Sequence, residues 1–390
     1  MTKDYDVIAA GHVCLDIIPP FPSDERRSFA QLFLPGELAR VERVVLCTGG
    51  PVSNTGIALS KLGCRMAFMA TVGDDALGEI VIEKMSEWGN STGIARVSAA
   101  GSSYSVLLSP PDQDRMILHY PGTNESFTAA NIDWQLVERA RLFHLGYPPI
   151  MRSLYQGDGA AAVDILQKVK SLGVTTSIDM VLTNPEGEAG NLDWRAWMRN
   201  VLPHVDFFMP SIEEALLFWD KPRWREYHEG RGEFIEAVPV ETYQSLAQSW
   251  LALGCGVVML KAGRRGIYAR SGPFQRISEV GILEKAIEQW TDRELWCSSF
   301  QCDQIVSTAG AGDSAVAGML TAVLQGESIE AMLQWGNCLG WQNLRALDTV
   351  SGVGDRKETL ALLRQLTPAP AEFLDDTWQP ATTLGVWERK

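Results

Sequence analysis

The sequence contains no run of lysines or arginines, and its 390 residues carry a formal net charge of −14. Proteins use basic patches to neutralise a phosphate backbone or an anionic lipid surface. We therefore expect neither a nucleic acid nor a membrane as a partner. The apolar stretch Trp250–Leu260 is too short to span a bilayer, and the start MTKDYDVIAAG lacks the basic flank and apolar core of a signal peptide. These features predict a cytoplasmic protein.

The cysteines lack a recognisable pairing. There are seven of them, an odd number, and no two are spaced as a C-x-x-C pair, which is the usual sequence sign of a zinc or redox site. We predict reduced thiols, most of them buried.

Two common nucleotide-binding loops are also missing. The P-loop pattern G-x-x-x-x-G-K-[ST] occurs nowhere in the chain, and no G-x-G-x-x-G follows the first predicted strand. The second absence argues against a dinucleotide-dependent oxidoreductase. Low-complexity tracts and internal repeats are absent too, and 46% of the residues are hydrophobic, so the composition suits a globular core.

Short β-rich segments alternate with helical patterns that end in glycine. This alternation is typical of βα units arranged around a largely parallel sheet. The predicted strands are Asp6–Ala10, Met66–Val72, Leu142–Leu145, Thr175–Ile178, Asp206–Met209 and Val257–Leu260. The predicted helices, each followed by a glycine expected in the left-handed conformation, are Asn54–Leu62, Ala76–Trp88, Ala160–Leu172 and Glu241–Leu253.

Other segments break this alternation. Tyr104–Ser109 and Met116–Tyr120 have the pattern of a β-hairpin, and His12–Leu46 is too long for a simple βα connection. We expect segments 12–47 and 100–122 to form a small β lid over the carboxyl ends of the strands, where open α/β sheets bind ligands. Segment 223–240 is predicted to be irregular. Residues 367–390 are predicted to be an extension that lies over the surface of a 1–366 domain.

The stretch STAGAGDSAVAGMLTAVLQG, at 307–326, predicts a helix that begins near Ala311–Asp313. The first N–H groups of a helix have no partner within it, and the small residues Gly310, Ala311 and Gly312 leave this backbone open to a phosphate. Asp313 fits two interpretations. It is either a helix cap or first-turn acid, or a general base for a substrate hydroxyl.

A second glycine-rich stretch, TGGPVSNTGIALSKLG, occupies residues 48–63. Gly49 and Gly50 permit a tight turn with exposed amides. Asn54 could bind a polyol hydroxyl or cap the following helix, and Asp16 could bind sugar hydroxyls or be a solvated loop acid.

Taken in order, these motifs resemble the ribokinase-like carbohydrate kinases of the phosphofructokinase-B type. The matching series is Asp16, Gly49–Asn54, VGDDALG at 72–78, Asp179, PSIEE at 210–214, LKAGRRG at 260–266 and GAGD at 310–313. It covers most of residues 5–365, and the ordered series is more specific than any one motif. The resemblance implies an α/β fold with a mostly parallel sheet flanked by helices, a small β-sheet lid, and phosphoryl transfer from ATP to a hydroxyl of a sugar or sugar derivative.

The resemblance also implies roles for individual residues. Asp313 would be the catalytic base, with the amides of Gly310, Ala311 and Gly312 as an anion hole. The sugar would be held by Asp16, Gly49, Gly50 and Asn54. The nucleotide side would include Ser211, Lys261, Gly263, Gly266, Thr308 and Asn337. Glu214 would be the acid associated with magnesium, through water.

Simpler interpretations of these residues stay open. Glu214 could be an exposed helix acid, Lys261 a solvated strand-end charge, and Asn337 a satisfied core amide. Arg115, on the predicted hairpin, could bind a carboxylate or phosphate of the acceptor or be an exposed turn residue, and Asn124 could line the same site.

The sequence departs from the family pattern in ways that leave the acceptor open. Ser307 replaces an aspartate linked to monovalent cations, which argues against a potassium requirement, and Ser211 stands where asparagine is common. A nucleoside kinase of the same fold is one alternative, with an aromatic slot from Phe21, Phe29, Phe33 or Tyr120. A catalytically silent sugar- or nucleotide-binding homologue is another. Family analogy also suggests a homodimer through the lid edges.

Overall fold

The computed structural model describes residues 3–25, 27–111, 116–230, 232–346 and 348–390. The strands are β1 Tyr5–Gly11, β2 Cys14–Ile18, β3 Val45–Gly49, β4 Met66–Gly73, β5 Ile94–Val97, β6 Tyr104–Leu108, β7 Met116–Tyr120, β8 Ala140–Gly146, β9 Thr175–Asp179, β10 Phe207–Phe208, β11 Val257–Lys261, β12 Ile267–Ser271, β13 Glu294–Cys297, β14 Trp378–Pro380 and β15 Val386–Arg389.

The α-helices are α1 Phe29–Leu32, α2 Pro51–Lys61, α3 Ala76–Ser86, α4 Trp134–Glu138, α5 Arg152–Tyr155, α6 Ala160–Ser171, α7 Trp194–Val201, α8 Ile212–Trp219, α9 Lys221–Glu229, α10 Phe234–Ala237, α11 Val240–Ala252, α12 Phe274–Ile277, α13 Ile287–Trp290, α14 Ala311–Gln325, α15 Ile329–Asn343 and α16 Arg356–Leu363. Short 3-10 turns lie at Gly122–Ser126, Ala129–Asn131, Pro148–Ile150, Gly157–Gly159, Ala189–Asn191, Leu202–His204, Gly263–Arg265 and Gly281–Leu283.

The main sheet has the strand order β14-β15-β13-β12-β11-β10-β9-β8-β1-β4-β5 in the described residues. The strands from β5 to β11 in this order are parallel to one another. The remaining strands, from β12 to β14, are added in antiparallel pairs. The predicted mostly parallel sheet is therefore confirmed, and the carboxyl ends of its central strands lie along one edge.

Helices cover both faces of this sheet. One hydrophobic cluster packs it against α6, α7, α8 and α11 and includes the fully buried Trp250. A second cluster packs the other face against α2, α14 and α15 and includes Val316. Burial on both faces explains why the central strands appear in the sequence as unbroken apolar runs, as in β4, where every residue is buried. None of the described helices is both long enough and apolar enough to cross a bilayer.

A separate small sheet has the order β3-β2-β6-β7. The predicted hairpin is present, since β6 and β7 pair antiparallel with Tyr104 opposite Tyr120. β2 joins it in parallel with β6 and antiparallel with β3. The small sheet is confirmed, while its closure as a lid stays a prediction.

The six predicted strands and four predicted helices are all present, with shifted ends. The helix predicted from Asn54 begins earlier, at Pro51, because Gly50 at its N-cap has a φ of 84° and proline suits the first turn. Gly63, Gly173 and Gly254 follow their helices with positive φ, as predicted. The prediction is wrong for Gly89, because α3 ends at Ser86. Gly89 instead packs against β4, where a Cβ would lie 2.8 Å from a backbone oxygen.

Segment 223–240 is not irregular as predicted. It contains part of α9 and all of α10. Asp220 caps α9 by accepting a hydrogen bond from the backbone N–H of Arg223. Glu236 of α10 forms ion pairs with Arg264 at 2.7 Å and Arg265 at 3.2 Å, which attach the segment to the turn Gly263–Arg265.

The segment 367–390 does not lie over the surface as predicted but extends the main sheet. β15 pairs with β13, and β14 pairs with β15. Trp378 is 5% exposed, and its ring centroid lies 6.4 Å from those of Trp296 and Tyr268. Two effects favour this position of the tail. It buries the aromatic surface of Trp378, and it supplies hydrogen-bond partners for the backbone of β13, which would otherwise be an uncovered edge strand.

Candidate active site

The candidate site lies where neighbouring parallel strands end. Gly11 of β1 pairs with Gly146 of β8, and Gly146 pairs with Asp179 of β9. Further along the same edge, Lys261 at the end of β11 forms an isolated bridge with Ser211. The parallel arrangement thus gathers residues that are far apart in the sequence at one edge of the sheet, as open α/β sheets do at their ligand sites.

Asp313 lies in the first turn of α14 and is 2% exposed. The Tyr147 hydroxyl donates to its carboxylate, at 2.8 Å from Oδ1 and 2.9 Å from Oδ2. Asn54 Nδ2 donates to Oδ2 at 2.9 Å, and Thr55 Oγ1 lies 3.4 Å from Oδ1. The N-cap of α14 is Gly310, so Asp313 does not cap the helix. Its partners come from α2 and from the end of β8, and they hold the carboxylate in place.

The surroundings of Asp313 make it a better base than a solvated aspartate. Burial raises its pKa, while the hydrogen bonds from Asn54 and Tyr147 oppose that rise by favouring the ionised form. A carboxylate with a raised pKa binds a proton more tightly once it is ionised. This property suits the removal of a proton from a hydroxyl group.

Asn54 and Tyr147 are themselves held in position. Thr349 Oγ1 donates to Asn54 Oδ1 at 2.8 Å, so the Asn54 nitrogen faces Asp313. Tyr147 has a φ of 63°, in the left-handed region that costs a residue with a Cβ about 1–2 kcal/mol. Strained residues of this kind cluster at functional sites. The predicted Asn54 is thus at the site, with its amide directed to Asp313.

The predicted anion-binding backbone precedes Asp313. Gly310 has a φ of 72°, and a Cβ there would lie 2.5 Å from Thr349 O, so only glycine fits. A Cβ at Gly312 would lie 3.7 Å from Lys261 Nζ. The positive end of this 15-residue helix and an ammonium group therefore lie close together beside Asp313, although the N–H of Ala311 already donates to Thr308 O at 3.3 Å. The arrangement suits an anion.

Lys261 forms a buried ion pair rather than a solvated strand-end charge. Its Nζ lies 2.5 Å from Asp179 Oδ1, and its side chain is 11% exposed. Burial raises the pKa of Asp179 to about 6, although Lys261 favours the ionised form and Asp313 opposes it. The Lys261 ammonium group is thus paired with Asp179, and its position along a nucleotide stays a prediction.

Glu214 is not an exposed helix acid. It forms a capping box with Ser211 at the start of α8, with Glu214 Oε2 accepting from Ser211 N at 2.7 Å. Burial raises the pKa of Glu214 to about 8, Lys261 opposes the rise, and Asp179 adds to it. Three carboxyl groups, those of Asp179, Glu214 and Asp313, thus surround one lysine. Their oxygen atoms are the kind of ligand that a hard cation such as Mg²⁺ prefers.

The residues predicted to hold the acceptor lie between the two sheets. Asp16 is on β2 and 7% exposed, so it is not a solvated loop acid. A Cβ at Gly49 would lie 2.3 Å from Asp16 Oδ2, and Gly50 has a φ of 84°. Asn124 is fully buried and donates to Val13 O at 2.8 Å, while its Oδ1 has no partner among the described residues. Asp16 and Asn124 are therefore both buried polar residues, and among the described residues Asn124 Oδ1 has no hydrogen-bond partner.

The residues predicted for the nucleotide side are less closely grouped. Gly263 and Gly266 bound a turn with φ values of 51° and 95°, and a Cβ at Gly266 would lie 2.0 Å from a backbone oxygen of β13. Asn337 donates to two consecutive backbone carbonyls at 3.1 and 3.0 Å, as a satisfied core amide does. Thr308 is exposed on the loop before α14. Arg115 lies outside the described residues.

Residues 7–352 match the family described as pfkB family carbohydrate kinase. The chain belongs to this family. A 2-dehydro-3-deoxygluconokinase of Bacillus subtilis (strain 168) is 22% identical over 319 residues, which cover 80% of this pfkB-family chain and 86% of that protein. Membership confirms the predicted enzyme class, a phosphotransferase with an alcohol group as acceptor.

Solved structures confirm the predicted ribokinase-like fold of this pfkB-family kinase. An Arabidopsis thaliana ribokinase complexed with ribose and ATP superposes with a TM-score of 0.67 at 18% identity, covering 93% of this chain and 99% of that one. A fructokinase from Xylella fastidiosa with bound ATP also has a TM-score of 0.67, at 14% identity, covering 92% and 98%.

Sequence reasoning missed Tyr147 in this pfkB-family kinase. Tyr147 belongs to none of the sequence motifs, yet it contacts both oxygens of Asp313. The available signal was positional, since a residue directly after a central parallel strand lies at the ligand edge of the sheet. Thr55 and Thr349, which also support the site, carried no sequence signal that we recognise.

Proposed function

We propose that this kinase transfers the γ-phosphoryl group of ATP to a hydroxyl of a sugar or sugar derivative, with Asp313 as the general base. The observation that carries the proposal is the buried Asp313 carboxylate, held by Tyr147 and Asn54 in the first turn of α14. Its family, and a relative that phosphorylates a sugar derivative, support the reaction class.

In this mechanism the acceptor hydroxyl gives its proton to Asp313 as its oxygen forms a bond to the γ-phosphorus. The bond between that phosphorus and the bridging oxygen breaks, and ADP leaves with the electron pair. The hydrogen bonds from Tyr147 and Asn54 keep the carboxylate oriented before the proton arrives. The amides of Gly310–Gly312, with Lys261 nearby, offset charge on the transferred group.

The acids at the sheet edge are suited to a metal that accompanies ATP. Magnesium bound there would neutralise phosphate charge, with Glu214 and Asp179 holding its water shell. Burial raises the pKa values of Asp179 and Glu214, and a cation bound beside them would favour their ionised forms. Lys261 already does so through its ion pair with Asp179.

The acceptor is proposed to bind between the small sheet and the edge of the main sheet. Asp16 would accept hydrogen bonds from its hydroxyl groups, and the unpaired Oδ1 of Asn124 would accept another. Gly49 and Gly50 allow close approach of this backbone. Closure of the small sheet would exclude water, which otherwise competes with the acceptor for the phosphoryl group.

The small sheet is also the surface through which we propose that two chains associate. Its edge strand β7 is exposed along its whole length and carries large apolar side chains, including Ile117 and Leu118 at 49% and 52% exposure. Exposed apolar edge strands are commonly covered by a partner. Sedimentation of wild type against a Leu118→Lys variant tests this, and an unchanged mass for the variant would contradict it.

A coupled ADP-release screen tests the proposed reaction. The panel contains sugars, keto-sugar acids and nucleosides, each with ATP and magnesium, and the Asp313→Asn variant serves as the blank. ADP release that requires a sugar-class acceptor supports the proposal. Release with nucleosides alone would favour a nucleoside kinase, and saturable ligand binding without ADP release would favour a silent homologue.

A further inference from the structure

A second group of ligating side chains lies at the small sheet, apart from the acids around Lys261. His12, Cys14 and His119 each offer one ligand atom, and the three atoms lie within 4.8 Å of one another. They come from the turn after β1, from β2 and from the edge strand β7. Sequence spacing could not reveal this group, because the small sheet brings His119 to the other two residues only in the folded chain.

His12 is an unusual buried histidine. It is 2% exposed, and neither of its ring nitrogens has a hydrogen-bond partner among the described residues. Leaving a buried polar group unpaired typically costs about 1–3 kcal/mol. The unpaired nitrogens point to a ligand.

The other two side chains are oriented by their neighbours. As predicted, the cysteines are free thiols, and Cys14 is among the buried ones. Its Sγ lies 3.3 Å from Asp16 Oδ1. His119 Nδ1 lies 3.0 Å from Ser105 Oγ, which fixes the ring and leaves Nε2 as the nitrogen available for ligation. Hydrogen bonds of this kind to the second nitrogen are typical of metal-binding histidines.

We propose that His12, Cys14 and His119 form a zinc site whose fourth position is open to water. Two imidazoles and a thiolate suit a borderline-soft cation such as zinc rather than magnesium. Ligand atoms in a tetrahedral zinc site are about 3.5 Å apart, given bonds of roughly 2.0–2.3 Å. The ligand atoms lie within 4.8 Å of one another, so binding requires only a small contraction. Binding releases the thiol proton of Cys14 to solvent and involves no redox change.

The contact between Cys14 and Asp16 links this site to the proposed function. Since Asp16 is the residue proposed to bind acceptor hydroxyls and lies 3.3 Å from Cys14 Sγ, zinc and the acceptor would exclude one another. The link rests on the proposed function, whereas zinc binding itself does not. Zinc would then act as a competitive inhibitor with respect to the acceptor and leave the affinity for ATP unchanged.

Zinc titration of the full chain against a chromophoric chelator tests the site without ATP or an acceptor. We expect one zinc per chain, with at least tenfold weaker binding in His119→Ala and in Cys14→Ser. The matched controls are His228→Ala, an exposed histidine on α9, and Cys64→Ser, a thiol away from the cluster. Thermal unfolding verifies that each variant is folded, and His119 is the safer change because its side chain is exposed.

Binding that is absent, or that survives both His119→Ala and Cys14→Ser, would overturn the zinc site. Cobalt substitution gives an independent signal, because a thiolate-to-cobalt absorption band must appear in wild type and disappear in Cys14→Ser. If the chain binds zinc but phosphorylates no sugar, the zinc site is supported and only the proposed function is contradicted. An acceptor KM unaffected by saturating zinc would overturn the link between this site and acceptor binding.

Discussion

Tyr147→Phe removes the hydroxyl that donates to both oxygens of Asp313, at 2.8 and 2.9 Å, and keeps the ring in place. A hydrogen bond to a charged group typically contributes about 1.5–3 kcal/mol. Because the ionised carboxylate receives this bond, losing it should raise the pKa of Asp313 further. The change adds to the rise that burial already causes.

The pH dependence of kcat/KM for the acceptor, followed by ADP release, measures this effect. A general base works only when it is ionised, so the rate falls as the pH drops through the pKa of Asp313. In Tyr147→Phe this decline should move to higher pH, while the rate at high pH is largely kept. Tyr155→Phe, a buried tyrosine on α5, is the control. An unmoved decline with a lower plateau would refute the reasoning.

Three further predictions concern the acceptor side, the acids and the tail. Gly49→Ala places a Cβ 2.3 Å from Asp16 Oδ2, so the acceptor KM should rise on the order of 10- to 100-fold in steady-state kinetics; an unchanged KM contradicts the role of Asp16. Glu214 has a folded pKa of about 8 against an ordinary 4.5, so the native chain binds the extra proton and stability falls as pH rises between these values. Across that pH range the unfolding temperature should decline less in Glu214→Gln than in wild type. Equal declines in the two proteins would contradict a raised pKa of Glu214. Trp378→Ala should lower the free energy of unfolding by about 3–5 kcal/mol in denaturant titrations, and a loss below 1 kcal/mol would mean that the tail adds little.

The sheet and its ligand edge could be predicted because their signals are local. Apolar segments ending in glycine marked the βα units, and small residues before Asp313 marked the open helix start. The partners of Asp313 could not be predicted in the same way. Asn54 and Tyr147 lie 259 and 166 positions away in the sequence, and only the fold brings them to the carboxylate.

Other differences have the same origin. Lys261 occurs in a loop motif, yet its Nζ is paired with Asp179, 82 positions earlier. The tail looked like surface chain because it contains many prolines, and the aromatic packing of Trp378 against Trp296 became visible only in the structure. Composition and periodicity describe neighbours in sequence, whereas these contacts depend on which strands become neighbours in space.

Asp313→Asn tests the central claim most directly. Asparagine keeps the size of the side chain and can still accept the Tyr147 hydrogen bond, but it cannot take up a proton from the acceptor. We predict that kcat for the acceptor falls on the order of 10²- to 10⁴-fold or more while ATP affinity and the unfolding temperature stay close to wild type. A folded Asp313→Asn variant with near-normal kcat would contradict the assignment of Asp313 as the base.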